Sequence, residues 1–261
     1  MATLDTEALP KKIDAIVHLA TTTVPESSNK DVLYDVQSNV ENSIRLLNFA
    51  RDNNITRFVF MSSGGTVYGN PLHDEIDESH PTNPLCSYGI SKLAVEKYAF
   101  LYKKLYGIST LSLRLSNPYG RFQNPNAKQG IIPIFCSKAL NDEEIQVFGD
   151  GTIERDFLYI DDVCKAIQRA IDVHYDRIKD IDAVNIGSGY GTSINEILYT
   201  ISTLLDTKLK VRYMQSRSFD VKKNVLKYNL ANDVLAWSPT IDLSDGIQKT
   251  LEYMKQSRLE K

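Results

Sequence analysis

Tyr88-Gly-Ile-Ser-Lys92 sets a phenol and an ammonium four residues apart. On a helix that spacing puts both on one face, so the cation can approach the ring. A lysine beside a tyrosine is expected to lower the phenol pKa from about 10 towards working pH. The phenolate so formed can take a proton from a sugar hydroxyl. Upstream, Ser62-Ser-Gly-Gly-Thr-Val-Tyr-Gly69 supplies hydroxyls and tight glycines directly after an apolar run. Doubly wound sheets place their ligands at such strand ends. Alone, the first motif reads equally as a helix-surface pair and the second as a plain turn. Their coincidence points to a site.

The elements that must hold these residues are legible in the apolar spacing. Ala15 to Ala20, Arg57 to Ser63 and Thr110 to Leu115 are short apolar runs, as expected of strands buried on both faces. Between them, Asp35 to Arg51 and Ser87 to Tyr106 carry apolar residues at helical spacing. Strands alternating with helices predict a parallel α/β sheet. After Asn117-Pro-Tyr-Gly120 the strands shorten and Gly and Pro become frequent, as in a smaller mixed lobe. Phe157 to Ile160 and Asp162 to Ile171 read as one more strand and helix, and Val184 to Gly187 as a further strand. Ser193-Ile-Asn-Glu196 is a capping-box pattern opening a helix through Leu205.

Bulk properties exclude several function classes. A net charge of −3 gives no electrostatic reason to expect nucleic acid. No apolar run reaches membrane-spanning length, and residues 1 to 12 have no apolar core of a signal peptide. Cys86, Cys136 and Cys164 are odd in number and far apart, and the four histidines show no ligand spacing, so disulfides and zinc are not expected. The chain reads as cytoplasmic.

Taken together, the motifs resemble the extended short-chain dehydrogenase/reductases that act on nucleotide sugars, nearest to UDP-glucose 4-epimerases. The resemblance runs through Asp14 to Ala20, Ser62 to Gly69, Tyr88 to Lys92 and Arg114 to Gly120. It continues in Val147-Phe-Gly-Asp-Gly151, Arg155-Asp-Phe157, Asn185 to Gly189 and Trp237-Ser-Pro239. It implies a Rossmann-like fold, NAD as cofactor, a nucleotide-sugar substrate, epimerisation at sugar C4 and a homodimer formed through the helices at 35–51 and 87–106. Residues 1–117 and 155–188 would form the NAD-binding part, and 118–154 and 189–261 the substrate lobe. Tyr88 would be the base, and Lys92 would tune it and hold the nicotinamide ribose. Ala20, Asn39 and Ser62 would line the cofactor. Asn117, Arg155, Arg217 and Asp220 would contact the nucleotide sugar. Asn39 could equally brace a turn, and Arg155 could be a surface ion pair.

Three features depart from the pattern or imitate it. The hydroxyl that should bond the reacting sugar oxygen falls on Gly64 counted from Val67-Tyr68-Gly69, and on Ser63 counted from Tyr88; Ser63 is assigned, with Thr66 in reserve. The family also opens with a Gly-x-x-Gly-x-x-Gly turn whose helix N-terminus binds pyrophosphate, and no such segment precedes Ala15 here. A chain without it is expected to hold NAD poorly, to leave the first strand as an exposed edge, and to act weakly or only as a non-catalytic binder. Gly187-Ser-Gly-Tyr-Gly191 imitates a dinucleotide loop, but Thr192 stands in place of its third glycine. A dehydratase is disfavoured, because Gly65-Thr66 replaces the acid/base pair that water elimination needs. A 4-keto reductase stays open.

Overall fold

Every residue of Ser109–Leu115 is buried, which only the central strand of a sheet covered on both faces allows. The computed structural model describes residues 4–10, 12–127, 129–216 and 221–259. Its strands are β1 Ala15–His18, β2 Arg57–Ser63, β3 Ser109–Leu115, β4 Asn117–Tyr119, β5 Ile145–Phe148, β6 Glu154–Tyr159, β7 Ala183–Ile186, β8 Gly191–Ser193, β9 Val211–Met214 and β10 Lys223–Asn224. Its helices are α1 Pro25–Ser28, α2 Val32–Asp35, α3 Asn42–Asp52, α4 Ser87–Tyr106, α5 Ile131–Leu140, α6 Ile160–Asp172, α7 Tyr175–Ile178, α8 Ile194–Leu205, α9 Asn229–Leu235 and α10 Leu243–Leu259. A π-helical turn, Val36–Glu41, joins α2 to α3.

The main sheet is parallel in the order β1-β2-β3-β7, with β1 at its edge among the described residues. One face is covered by α3 and α4 through Leu47, Ala50, Val95 and Tyr102 against Ile16, Phe58 and Phe60. The other is covered by α6 and α9 through Val163, Ala166 and Val234 against Val59, Leu111 and Leu113. This is the expected Rossmann-like α/β arrangement. A second sheet, β10-β6-β4 with β8 antiparallel on β6, lies beyond the turn at Ser116. A further core, with Ile132, Phe135, Ile197 and Leu251, joins α5, α8 and α10 around the β5-β9 pair. The strand expected at 157–160 is therefore hydrogen-bonded to β4 and β10, whereas α6 and β7 return to the main sheet.

Glycine-rich turns close where side chains would collide. Gly69 has φ +71°, and a Cβ there would lie 2.0 Å from the Asn83 carbonyl oxygen, so the 64–69 turn can seat only glycine at its end. The loop Gly187–Gly191 receives the buried carboxylate of Asp156, which accepts from Ser188 N and Oγ at 2.8 Å and from Gly189 N at 3.3 Å. Its amides bind an anion belonging to the protein itself.

Across the carboxyl end of the sheet runs a buried polar chain. Arg114 of β3 pairs with Glu96 of α4 at 2.7 Å, and both are almost fully buried. Arg114 also donates to the Tyr68 hydroxyl at 2.9 Å, which donates to Asn185 Oδ1 of β7 at 2.7 Å. Ser62 Oγ donates to Glu96 at 2.5 Å. Truncating Glu96 would leave a guanidinium buried and unpaired. We expect Glu96→Ala to cost about 3–5 kcal/mol, with Glu96→Gln costing less, both measured by urea unfolding.

Candidate functional site

Helix α4 begins with Tyr88 and Lys92 in its first two turns, and its free N-terminal amides are capped from a distant segment. Ser87 N donates to Asn29 Oδ1 at 2.9 Å, and Tyr88 N to Ser28 Oγ at 3.0 Å. These are groups a helix cannot satisfy internally. Gly89 lets the helix start press on the glycine-rich turn, since a Cβ there would lie 2.9 Å from the Thr66 carbonyl oxygen. Lys92 runs inward and donates to the Met61 carbonyl at 2.7 Å, with its ammonium 4.8 Å from the Phe60 ring centre and 5.5 Å from that of Tyr88.

Four of the sequence-predicted residues, Ala20, Asn39, Tyr88 and Lys92, line one small recess together with Thr21 and Phe60. It sits at the carboxyl ends of β1 and β2, where open α/β sheets bind ligands. Lys92 uses one of its three donors on Met61, which leaves two for a polyhydroxylated ligand. The Asn39 amide braces the loop beside it: it accepts from Thr22 N at 3.1 Å and donates to Thr23 Oγ1 at 2.9 Å. Ser62 turns its hydroxyl into the buried Glu96 pair. Its lining is largely apolar, through Ala20, Phe60 and Val95, with the Lys92 ammonium and the Tyr88 hydroxyl as donors that suit a nicotinamide riboside.

A larger cleft of about 1320 Å³ is lined by Gly65, Thr66, Asn70, Cys86, Gln129 and Lys222. Thr66 Oγ1 is buried there without a hydrogen-bond partner. Ser63 lines neither cavity. A side chain at 64 is obstructed, because its Cβ would lie 2.4 Å from Leu226 Cδ1 and 3.1 Å from the Arg114 carbonyl oxygen. Asn117 donates to the Asp156 carbonyl at 2.9 Å, and Arg155 to the Glu154 carbonyl at 2.8 Å. The two are close on neighbouring strands, with Asn117 in register with Phe157. Arg217 and Asp220 lie outside the described residues.

The electrostatics correct the sequence expectation. Tyr88 is not brought down towards working pH: burial pushes its phenol up to about 12, and the negative charges of Cys86 and Asp35 add to the rise. Lys92 cannot offset this, because burial lowers its own pKa to about 8 against the pull of Asp35 and Glu96, and its ammonium is turned to the Met61 carbonyl. Behind them His18 is held neutral, its pKa lowered to about 4 by burial and by the Lys92 charge, and it bonds Ser43 Oγ at 2.7 Å. Two groups escaped the sequence reading. Asp35 is buried between the recess and α4, and Glu96 lies under Lys92. Their signal was polar spacing: Asp35/Asn39, Ser87/Ser91 and Lys92/Glu96 all stand four apart on helical segments.

The model of the NAD dependent epimerase/dehydratase family matches residues 3–187. The chain belongs to that family. NAD is the cofactor of the family. Among relatives, a UDP-glucose 4-epimerase of Mycolicibacterium smegmatis is 32% identical over 94% of this chain and 77% of its own length. A dTDP-4-dehydro-6-deoxyglucose reductase of Escherichia coli is 35% identical over 93% of this chain and 75% of its own length. The Thermotoga maritima UDP-glucose 4-epimerase solved with UDP-glucose superposes with a TM-score of 0.88 at 30% identity, over 94% of this chain and 78% of that one. Among the described residues no helix is long and apolar enough to cross a membrane.

For this family member the Lys92 shift has a signed consequence. The folded pKa near 8 lies below the ordinary 10.5, so between those values the unfolded chain binds more protons. Stability therefore rises with pH through that window. Urea unfolding on either side of it is expected to show the rise in the parent and its loss in Lys92→Met.

Proposed function

We propose that the chain epimerises a nucleotide sugar at C4 with NAD, with Tyr88 as the proton-transferring group. The observation that carries this is the pairing of Tyr88 and Lys92 in a recess at the sheet's carboxyl end, near a cleft large enough for a nucleotide sugar. Bound NAD would accept hydride from the sugar carbon and return it to the opposite face. Tyr88 takes the sugar hydroxyl proton and later gives it back. A phenol near pKa 12 does this only when positive charge gathers beside it, as the nicotinamide ring of bound NAD would supply. Lys92 and Asn39, with Ala20, form the cofactor wall. Thr66 lines the cleft and its buried hydroxyl has no partner, so it is assigned to the reacting sugar oxygen in preference to Ser63. Asn117 and Arg155, on the second sheet, face the nucleotide diphosphate, and residues 118–154 and 189–261 form the substrate lobe.

A second reading is favoured by one observation. The protonated phenol of Tyr88 suits proton donation to a sugar alkoxide, and a relative at 35% identity is a 4-keto-sugar reductase. An assay that separates the two follows interconversion of UDP-glucose and UDP-galactose without net cofactor consumption, against reduction of a 4-keto nucleotide sugar with consumption of reduced cofactor. In the reaction found, Tyr88→Phe is expected to lower turnover by about 10²–10⁴-fold with the fold intact. Thr66→Ala is expected to lower it about tenfold or more, as loss of one hydrogen bond to a charged group would. A full loss in Ser63→Ala with none in Thr66→Ala would return that role to Ser63.

The chain is also proposed to form a homodimer through the α2–α4 face. Leu33, Ile90, Leu101 and Leu105 are exposed there, with Leu33 and Leu105 at 74% and 62%. Apolar side chains exposed along these helices are expected to be covered. Light scattering at micromolar concentration is expected to give twice the chain mass; a stable monomer overturns the dimer.

A further inference from the structure

Asp35 is completely buried, and among the described residues it forms no ion pair. A buried carboxylate without a cation is costly unless hydrogen bonds hold its charge. Asp35 accepts from Thr23 Oγ1, from Asn39 Nδ2 at 3.0 Å, from Ser87 Oγ at 2.8 Å and from Ser91 Oγ at 2.6 Å. These donors come from three segments: the loop before α1, the π-helical turn, and the first two turns of α4. Insertion of a π turn directly after Asp35 aims Asn39 back at the same carboxylate, a distortion found often at functional sites. Ser87 and Ser91 bracket Tyr88 and precede Lys92 by five residues and one.

We propose that Asp35 is a positioning residue for the reaction proposed above. Its carboxylate fixes the start of α4, with Tyr88 and Lys92, against the loop and turn that line the cofactor recess. The inference rests on that functional reading. The geometry explains why an anion stands where an amide would have fewer bonds to offer: four neutral donors converge on two oxygens, and only a carboxylate accepts from all of them. Burial opposes the charge, but the bonds from Ser91, Thr23, Ser87 and Asn39 outweigh it and hold the carboxyl below its ordinary range. The titratable groups within its reach are Tyr88, Lys92 and Cys86; on its own helix, Asp31 is engaged in capping α2. Towards these groups the negative charge favours the protonated phenol, the ammonium and the thiol.

Two readouts test this, and only one needs turnover. Kinetics of Asp35→Asn in the NAD-loaded protein are expected to show kcat lowered about tenfold or more, the size of one lost charge-assisted bond. KM for the nucleotide sugar is expected to change little, and the pH profile of kcat to move to lower pH. Independently, in a Cys164→Ser background, Cys86 remains as the thiol that is not fully buried. Its alkylation by iodoacetamide is expected to titrate at lower pH in Asp35→Asn than in the parent. Ser91→Ala keeps the charge and removes one tether, so it is expected to lower kcat while leaving the Cys86 titration in place, and it serves if Asp35→Asn does not fold. Unchanged kcat per folded molecule in either variant overturns the proposal. If the parent turns over no nucleotide sugar, the functional reading fails, and an unchanged Cys86 titration then overturns the role of Asp35 by itself.

Discussion

The buried pairing of Arg114 with Glu96 is the constraint on which the rest of the site depends. An arginine near the carboxyl end of a fully buried strand has to be neutralised where it stands, because an unpaired guanidinium in the interior is prohibitively costly. Helix α4 supplies the partner, and in doing so its register against the sheet is set. Glu96 lies one helical turn after Lys92, which lies one turn after Tyr88, so fixing Glu96 against β3 fixes the two chemical side chains over the ends of β2. Tyr68 and Asn185 carry the same chain of bonds to the glycine-rich turn and to β7. A chain of this kind is strong only when every member is satisfied, which explains why it spans the sheet in place of an apolar core.

Buried carboxylates perform the same service elsewhere. Asp156 gathers the amides of Ser188 and Gly189 and, at 3.2 Å, that of Leu226. Asp162 accepts from Thr240 N at 2.8 Å and Ile241 N at 2.9 Å, while its carbonyl takes the Trp237 indole N–H at 2.9 Å. Asp35 draws in the start of α4. Asp156 and Asp162 bind backbone donors from irregular segments, whereas Asp35 binds side-chain donors alone. The loop Gly187–Gly191 illustrates the ambiguity this creates in a sequence. Glycines that free amides for an anion look alike whether the anion is a phosphate or an aspartate on the neighbouring strand.

The recess is built to hold charge in tension. Burial raises the phenol of Tyr88 and lowers the amine of Lys92, so each is driven towards its neutral form. A pair poised this way is sensitive to any further charge brought beside it. That is the property required of a group which must release a proton at one moment and return it at another. His18, neutral and bonded to Ser43, adds no competing positive charge behind the pair.

The apolar runs and helical spacing by themselves determined the parallel sheet, its covering helices and the Tyr88/Lys92 pair, because those signals are local: a period of two or 3.6 survives in the residues alone. The order of motifs determined the family in the same way. What only the tertiary structure decided depends on approach between distant segments. It showed that the strand at 154–159 pairs outside the main sheet, and that Gly64 is closed by Leu226 while the buried Thr66 hydroxyl is left without a partner. It reversed the expected direction of the Tyr88 shift, since desolvation depends on what covers a residue and spacing records only what lies beside it. The spacing of Asp35 from Asn39 was legible but its role was not, for the same reason: its donors lie as far as Ser91, and a carboxylate's role is defined by the groups that fold around it.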